Sequence, residues 1–196
     1  WLEELPSTFM KWGDWKAQNP SGEVLSSETG TTFDYTRHPY GAYDTAKTIY
    51  FPLSNTSAAL SPKWITTSVS ANGQQLSFAQ KIMDGKGVIN DLLDGKNIVA
   101  FLDYNLGITR VFDSNVPLIG DEPGGTRSFK YDFDQHQITD IETGSVWSPE
   151  GFCTSGKHQG AQLTQITART SFWFAWSSQF PDTKIAGVDV IDETVK

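Results

Sequence analysis

Thr8-Phe9-Met10-Lys11-Trp12-Gly13-Asp14-Trp15-Lys16-Ala17-Gln18-Asn19-Pro20 and Arg169-Thr170-Ser171-Phe172-Trp173-Phe174-Ala175-Trp176-Ser177-Ser178-Gln179-Phe180-Pro181 decide the reading of this chain. At one constant offset, Trp12 matches Trp173, Trp15 matches Trp176, Gln18 matches Gln179 and Pro20 matches Pro181. An apolar pair comes after each, Val24-Leu25 and Ile185-Ala186. Two Trp at i and i+3 share one face of a short helix. Thr8 and Ser171 are suited to cap the starts. Pro20 and Pro181 end the pattern, because proline disfavours helix at the residue before it. Anchoring each helix to a sheet accounts for these indoles, and an aromatic ligand platform is the alternative. Equal spacing at two places predicts an internally duplicated module. Residues 1–47 then read as the tail of a first copy, and 48–196 as a second copy packed as one globular domain.

Between the two stretches the chain reads as strands and turns. The expected strands are 48–53, 64–70, 74–82, 88–93, 97–103, 108–113, 127–133, 161–167 and 184–191. Asn72-Gly73 and Asp94-Gly95 are hairpin turns. Ile98-Val99-Ala100-Phe101-Leu102 is the longest apolar run and reads as a buried strand. Residues 114–126, with two prolines and three glycines, form a loop. The expected fold is α+β, predominantly antiparallel β with a few short helices.

Composition bounds the partners. In 196 residues, 38% are hydrophobic, 19% are charged and 13% are aromatic, including seven Trp. This is the make-up of a folded, strand-rich domain rather than a disordered chain. A net charge of -8 repels phosphate backbones and anionic lipid, so nucleic acid is not an expected partner. No apolar run approaches the length of a transmembrane helix. Cys153 is the one cysteine, so no internal disulfide forms. The chain opens at Trp1 without an initiator Met or signal peptide, which reads as a mature or trimmed piece of a longer precursor.

The best candidate ligand site is the block from Asp34 to Tyr43. It gathers Asp34, Tyr35, Arg37, His38, Tyr40 and Tyr43, with Pro39 and Gly41 fixing the path. Arg37 suits a ligand carboxylate, or a neighbouring acid such as Asp34 or Asp91 that pins the loop. Asn90 and Asp91 join the candidates, with turn or ladder roles as the alternative. Asp132, Asp134 and His136 alternate, so on a strand they share a face and form a weak metal candidate against a solvated face. Gly151 to His158 departs from a phosphate-binding loop, because it lacks the magnesium-binding hydroxyl after Lys157 and leads into a strand pattern. Cys153 and His158 form a nucleophile–base pair only on paper, since no third group stands at a recognisable spacing. Asn55-Thr56-Ser57 is an N-glycosylation sequon at Asn55, a triplet that often arises by chance.

The chain resembles an uncharacterised bacterial and archaeal group, domain-of-unknown-function family three-one-seven-nine. The resemblance rests on Trp12-Gly13-Asp14-Trp15, Pro20, Val24-Leu25-Ser26, Asp34 through Tyr43 and Phe51-Pro52. It continues at Val88-Ile89-Asn90-Asp91, Thr143-Gly144-Ser145-Val146-Trp147 and Pro181-Asp182-Thr183. It implies an exported protein with a two-copy layout and assigns no reaction. The resemblance implies a Cys-Pro-Leu-Cys-Gly pattern after the Asn-Asp pair of the family's first copy; the corresponding stretch here is Leu102-Asp103-Tyr104-Asn105-Leu106-Gly107, so both thiols are missing. With no catalytic signature and no cofactor motif, the expectation is a non-catalytic extracytoplasmic structural or binding module, not an enzyme. It would belong to a larger surface assembly, with a protein partner or self-association. The alternatives are a metal- or redox-linked enzyme lined by Asp34, Arg37, Asn90 and Asp91, and a carbohydrate-binding module using exposed Trp.

Overall fold

The computed structural model describes residues 4–37, 39–50, 52, 53, 55 and 57–188. It divides into two units, one formed by Trp1–Phe9 with Asn55–Lys196, the other by Met10–Ser54. The fold is mostly antiparallel sheet with three short helices among the described residues.

In the larger unit, a first sheet has the order β12-β1-β2-β13, from Arg169–Phe172, Ile65–Ala71, Gln74–Ala79 and Lys184–Ile185. Its β1–β2 hairpin closes at Asn72 and Gly73, both at positive φ (45° and 81°), as a two-residue hairpin turn requires. The short β13 runs parallel to β2. A second sheet, β3-β4-β5, comprises Val88–Leu93, Lys96–Asp103 and Ile108–Asp113. The third, β11-β10-β9-β8, comprises Cys153–Ser155, Val146–Trp147, Gln137–Asp140 and Phe129–Asp132. Two short strands inside the expected loop, β6 (Asn115–Val116) and β7 (Gly125–Thr126), pair with each other.

The apolar run in β4 explains where the core sits. Strand side chains alternate between faces. Ile98, Ala100 and Leu102 join Val69, Leu76, Phe78 and Met83 in one cluster. Val99 and Phe101 join Phe112, Phe129, Ile138 and Trp147 in another. The strand has core on both faces, which is why its sequence is continuous rather than alternating. Each of the larger side chains, Ile98, Val99, Phe101 and Leu102, contributes roughly 1.5–3 kcal/mol of burial. Phe101 lies 5.3 Å from Phe112 and 5.1 Å from Phe129, ring centre to ring centre.

Five expected elements differ. The strand expected over 74–82 ends at Ala79, and Gln80–Lys86 forms helix α2. Helix-forming Gln80, Lys81 and Lys86 surround Met83, which plugs into the core. Gly87, at φ 68°, ends the helix, and a Cβ there would meet Tyr131 at 2.5 Å. The 161–167 stretch makes only isolated bridges, Phe152–Gln162 and Phe112–Gln165. Arg169–Phe172, expected at a helix start, is strand β12 paired with β1. The described residues of 48–53 form no strand; the strand expected over 184–191 ends at Ile185, residues 186–188 join no strand, and 189–191 lie outside the described residues.

Helix α3 (Trp173–Ser177) is bolted to the larger unit. Its backbone donates from Trp173 to Trp64 O and from Phe174 to Pro62 O, both at 2.8 Å. Trp173 is fully buried and its indole donates to Ser57 O at 3.0 Å. Trp176 is buried and donates to Thr183 Oγ1 at 2.9 Å.

In the smaller unit, α1 spans Trp12–Gln18. Neither α1 nor α3 has a side-chain cap; Lys11 and Phe172 are the N-cap residues, not Thr8 and Ser171. Their backbone angles are nearly the same, φ −67° with ψ 144° or 145°. Trp15 O accepts from Asn19 N at 2.9 Å, and Trp176 O from Phe180 N at 3.0 Å. Asn19 O accepts from Gly22 N at 2.9 Å, and Phe180 O from Thr183 N at 3.2 Å. These bonds fall at the offset read from the sequence. The indoles differ in burial. Trp12 is 53% exposed and stacks on half-buried Trp15 at 5.1 Å, rather than entering a core.

Candidate functional site

The described residues of the Asp34–Tyr43 block lie in a run of turns and are exposed, except for half-buried Tyr43. Asp34 Oδ1 accepts from the Thr36 amide and hydroxyl at 3.0 and 2.6 Å, closing a local turn. The Thr36 hydroxyl, then its amide, hold the Asp34 carboxyl below its ordinary pKa. Aromatic rings run through the segment in pairs: Phe33 with Tyr35 at 4.9 Å, Tyr40 with Tyr43 at 6.5 Å, and Tyr43 with Tyr50 at 4.3 Å. Tyr35 and Tyr40 are more than half exposed. Arg37 is exposed and forms no salt bridge among the described residues. Asp34 is turned to Thr36, and Asp91 takes Lys184 at 2.7 Å. His38 lies outside the described residues.

Asn90 has a structural task. Its amide donates to Phe129 O at 2.8 Å and accepts from Phe129 N at 2.9 Å, imitating one rung of a ladder. It thereby joins β3 of the second sheet to β8 of the third. Asp91 holds β13 through Lys184 and accepts from the Leu92 amide at 2.7 Å.

Asp132, Asp134 and His136 do not alternate along a strand. β8 ends at Asp132, whose Oδ1 accepts from the Asp134 and Gln135 amides, both at 2.9 Å. His136 sits in the turn at φ 52°. The hairpin turn, rather than strand geometry, sets these side chains. Among the described residues, no group of three or more His, Cys, Asp or Glu is placed to hold a metal ion. Asn55 is exposed, and Thr56 of its sequon lies outside the described residues.

The structure builds one polar network that sequence spacing did not reveal. Asp140 accepts from the Thr143 amide at 2.6 Å, from the Thr143 hydroxyl at 2.7 Å, and from the Trp147 indole at 3.1 Å. Thr143 meets the Ser145 hydroxyl at 2.7 Å, which accepts from His158 N at 3.3 Å. Arg127 Nε donates to His158 Nε2 at 3.3 Å. His158 is fully buried, and its Nδ1 has no hydrogen-bond partner among the described residues. Burial alone would push the Asp140 carboxyl up. The Thr143 hydroxyl, the Trp147 indole, the Thr143 amide and His158 outweigh it and hold the pKa below its ordinary value. The signal in the sequence was Thr143-Gly144-Ser145-Val146-Trp147; Asp140, Arg127 and His158 join it only through the fold.

Cys153 is buried, and burial pushes its thiol pKa up. Its Sγ donates to Ser155 O at 3.4 Å. A protonated, enclosed thiol is a poor nucleophile. The Leu102–Gly107 stretch, which corresponds to the two-thiol pattern of the family's first copy, closes β4 and forms the β4–β5 turn. Asp103 there accepts from the Asn105 and Leu106 amides and faces buried Arg110 at 3.6 Å.

A groove in the larger unit was also not legible. A cavity of about 440 Å³ is lined by Phe9, Arg169, Thr170, Trp176 and Gln179 among others. One of about 220 Å³ shares Arg169 and Trp176 with it. Arg169 pairs there with Glu4. No helix is long and apolar enough to cross a membrane among the described residues.

Comparison with known proteins places these observations in a family. No curated protein and no solved structure matches the chain. The family model described as a protein of unknown function, DUF3179, matches residues 1–183. Over nearly its whole length, from the stacked Trp12–Trp15 pair to the turn at Thr183, this chain belongs to the DUF3179 family.

Proposed function

We propose that this protein is a non-catalytic structural or binding module of an extracytoplasmic assembly, and that Met10–Ser54 is the arm by which it binds. One observation carries the reading: no described residue of Met10–Ser54 is buried. Trp12, Val24, Leu25, Phe33, Tyr35, Tyr40 and Tyr50 are all at least half exposed. A segment this rich in aromatics, with no core of its own, gains its apolar burial from a partner. Each aromatic ring brings about 150–250 Å² to such an interface. By contrast, Asn90, Asp91, Asp103 and Asp140 are engaged in bonds that hold the fold. Export, implied by the family resemblance, supports the extracytoplasmic placement. The recurring bonds around Trp15 and Trp176 support an internally repeated module.

Light scattering and pull-down with the purified chain test this. An assembly that is lost when Phe33, Tyr35 and Tyr40 are replaced by serine is expected. A strictly monomeric chain with no partner in pull-downs would contradict it. Fractionation of source cells tests the location, with the protein expected outside the cytoplasmic fraction.

The groove beside Arg169 favours a second reading, carbohydrate binding. It combines exposed Phe9 and the edge of buried Trp176 with Gln179 and several hydroxyls. Silence on a glycan array would remove it.

A further inference from the structure

In the larger unit, the Trp-bearing helix leads into an edge strand. Past Thr183, Lys184–Ile185 forms β13, Ala186 N donates to Ser77 O at 2.9 Å, and Lys184 reaches Asp91 at 2.7 Å. The smaller unit has the same lead-in. Its helix starts with the same backbone angles, and its two exit bonds recur at the same offset. The second indole also meets the residue seven positions on in both. Trp176 bonds Thr183, and Trp15 lies so close over Gly22 that a Cβ there would stand 2.3 Å from the ring. Glu23-Val24-Leu25 therefore occupy the places of Lys184-Ile185-Ala186. Yet residues 22–26 join no strand, and Val24 and Leu25 are 69% and 96% exposed, where Ala186 is fully buried.

We infer that Glu23–Leu25 is a parallel edge strand awaiting a β-hairpin of the β1–β2 kind, contributed by another β-module with a basic residue where this chain has Asp91. The inference rests on the assembly reading and names the partner of that arm. Three side chains exclude this chain's own hairpin as the seat. Glu23 would face Asp91, where Lys184 now pairs with it. Leu25 would replace Ala186, which is fully enclosed. Ser26 would replace Gly187, where a Cβ would stand 2.6 Å from Ile89 at a φ of 71°. The matching partner has a cation for Glu23 and a roomier seat for Leu25 and Ser26. Parallel main-chain pairing supplies attachment, and the charge and seat supply selectivity.

A matched pair of full-length chains tests this. The acceptor carries Asp91→Lys and Ala186→Pro, which repels Lys184 and deletes the amide bonded to Ser77 O. The donor carries Leu25→Ala and Ser26→Gly, so that its strand fits the acceptor. Native mass spectrometry is expected to show a 1:1 complex. It should weaken at least about tenfold when the donor carries Leu25→Pro instead, which removes the amide that takes the place of Ala186 N on Ser77 O. It should weaken similarly when the acceptor keeps Asp91. A folded acceptor that binds neither donor, or both equally, overturns the inference. If the acceptor does not fold, one chain carrying Lys184→Glu, Ile185→Val and Asp91→Lys decides the matter. Melting within about 5 °C of the parent supports equivalence of the two strands, and a larger loss overturns it. An arm that binds its partner regardless of Leu25→Pro would leave the assembly reading standing and remove only the strand.

Discussion

Asn90 grips Phe129 twice, giving and receiving a hydrogen bond with its backbone at 2.8 and 2.9 Å. This pair is a side-chain rung between two sheets that share no backbone ladder with each other. Asn90→Ala leaves both backbone groups of Phe129 unpaired beside the core. The expected cost is about 2–4 kcal/mol in chemical denaturation, with the m-value unchanged. Asn90→Asp keeps the acceptor but loses the donor, so it should also destabilise. A loss under about 0.5 kcal/mol for Asn90→Ala would show that the rung is dispensable.

Asp140 predicts a pH effect with a definite sign. Its pKa in the folded protein is held below the ordinary value by the Thr143 hydroxyl, the Trp147 indole, the Thr143 amide and His158, against burial. The folded state therefore favours the ionised form. The resulting stability is fully present above the unfolded value of about 3.9 and disappears as pH falls through the folded value. Between about pH 3 and 5, Asp140→Asn should flatten the rise in melting temperature shown by the parent protein. An equally steep rise in both would contradict this.

Cys153 should be silent toward thiol reagents in the native protein. It is buried and its pKa is raised by that burial. At pH 8, Ellman's reagent should label it fully in denaturant and at least about a hundredfold more slowly without it. Rapid native labelling would revive Cys153 as a reactive centre.

The two Trp-bearing helices should respond differently to the same change. Trp176→Phe removes an indole buried in the larger unit and its bond to Thr183. A loss of about 1–3 kcal/mol is expected. Trp15→Phe, in a unit with no buried described residue, should stay within about 0.5 kcal/mol. Equal losses would mean that the smaller unit already contributes to the core of the isolated chain.

Much of the larger unit was legible because local signals agreed with the fold. Asn72-Gly73 and Asp94-Gly95 set two hairpins, and Ile98–Leu102 marked the strand with core on both faces. Where local and tertiary preferences diverge, the sequence was less informative. Gln80–Lys86 continues an apolar pattern that also suits a strand, but Met83 docks as a helical anchor. Arg169–Phe172 looks like a helix approach, and pairing with β1 decides otherwise. The Asp140–His158 network was hidden because its members meet through β9, β10 and the chain after β11, not through close spacing. Asn90 was legible as a special residue; that it bonds a backbone 39 residues away was not.

Amide hydrogen exchange on the monomeric isolated chain tests the central claim most directly. Glu23–Leu25 should exchange at the rate of an unstructured chain, while Ala186, bonded to Ser77 O, is protected. Protection of Glu23–Leu25 to the same degree as Ala186 would mean that this strand already has its sheet and awaits no partner.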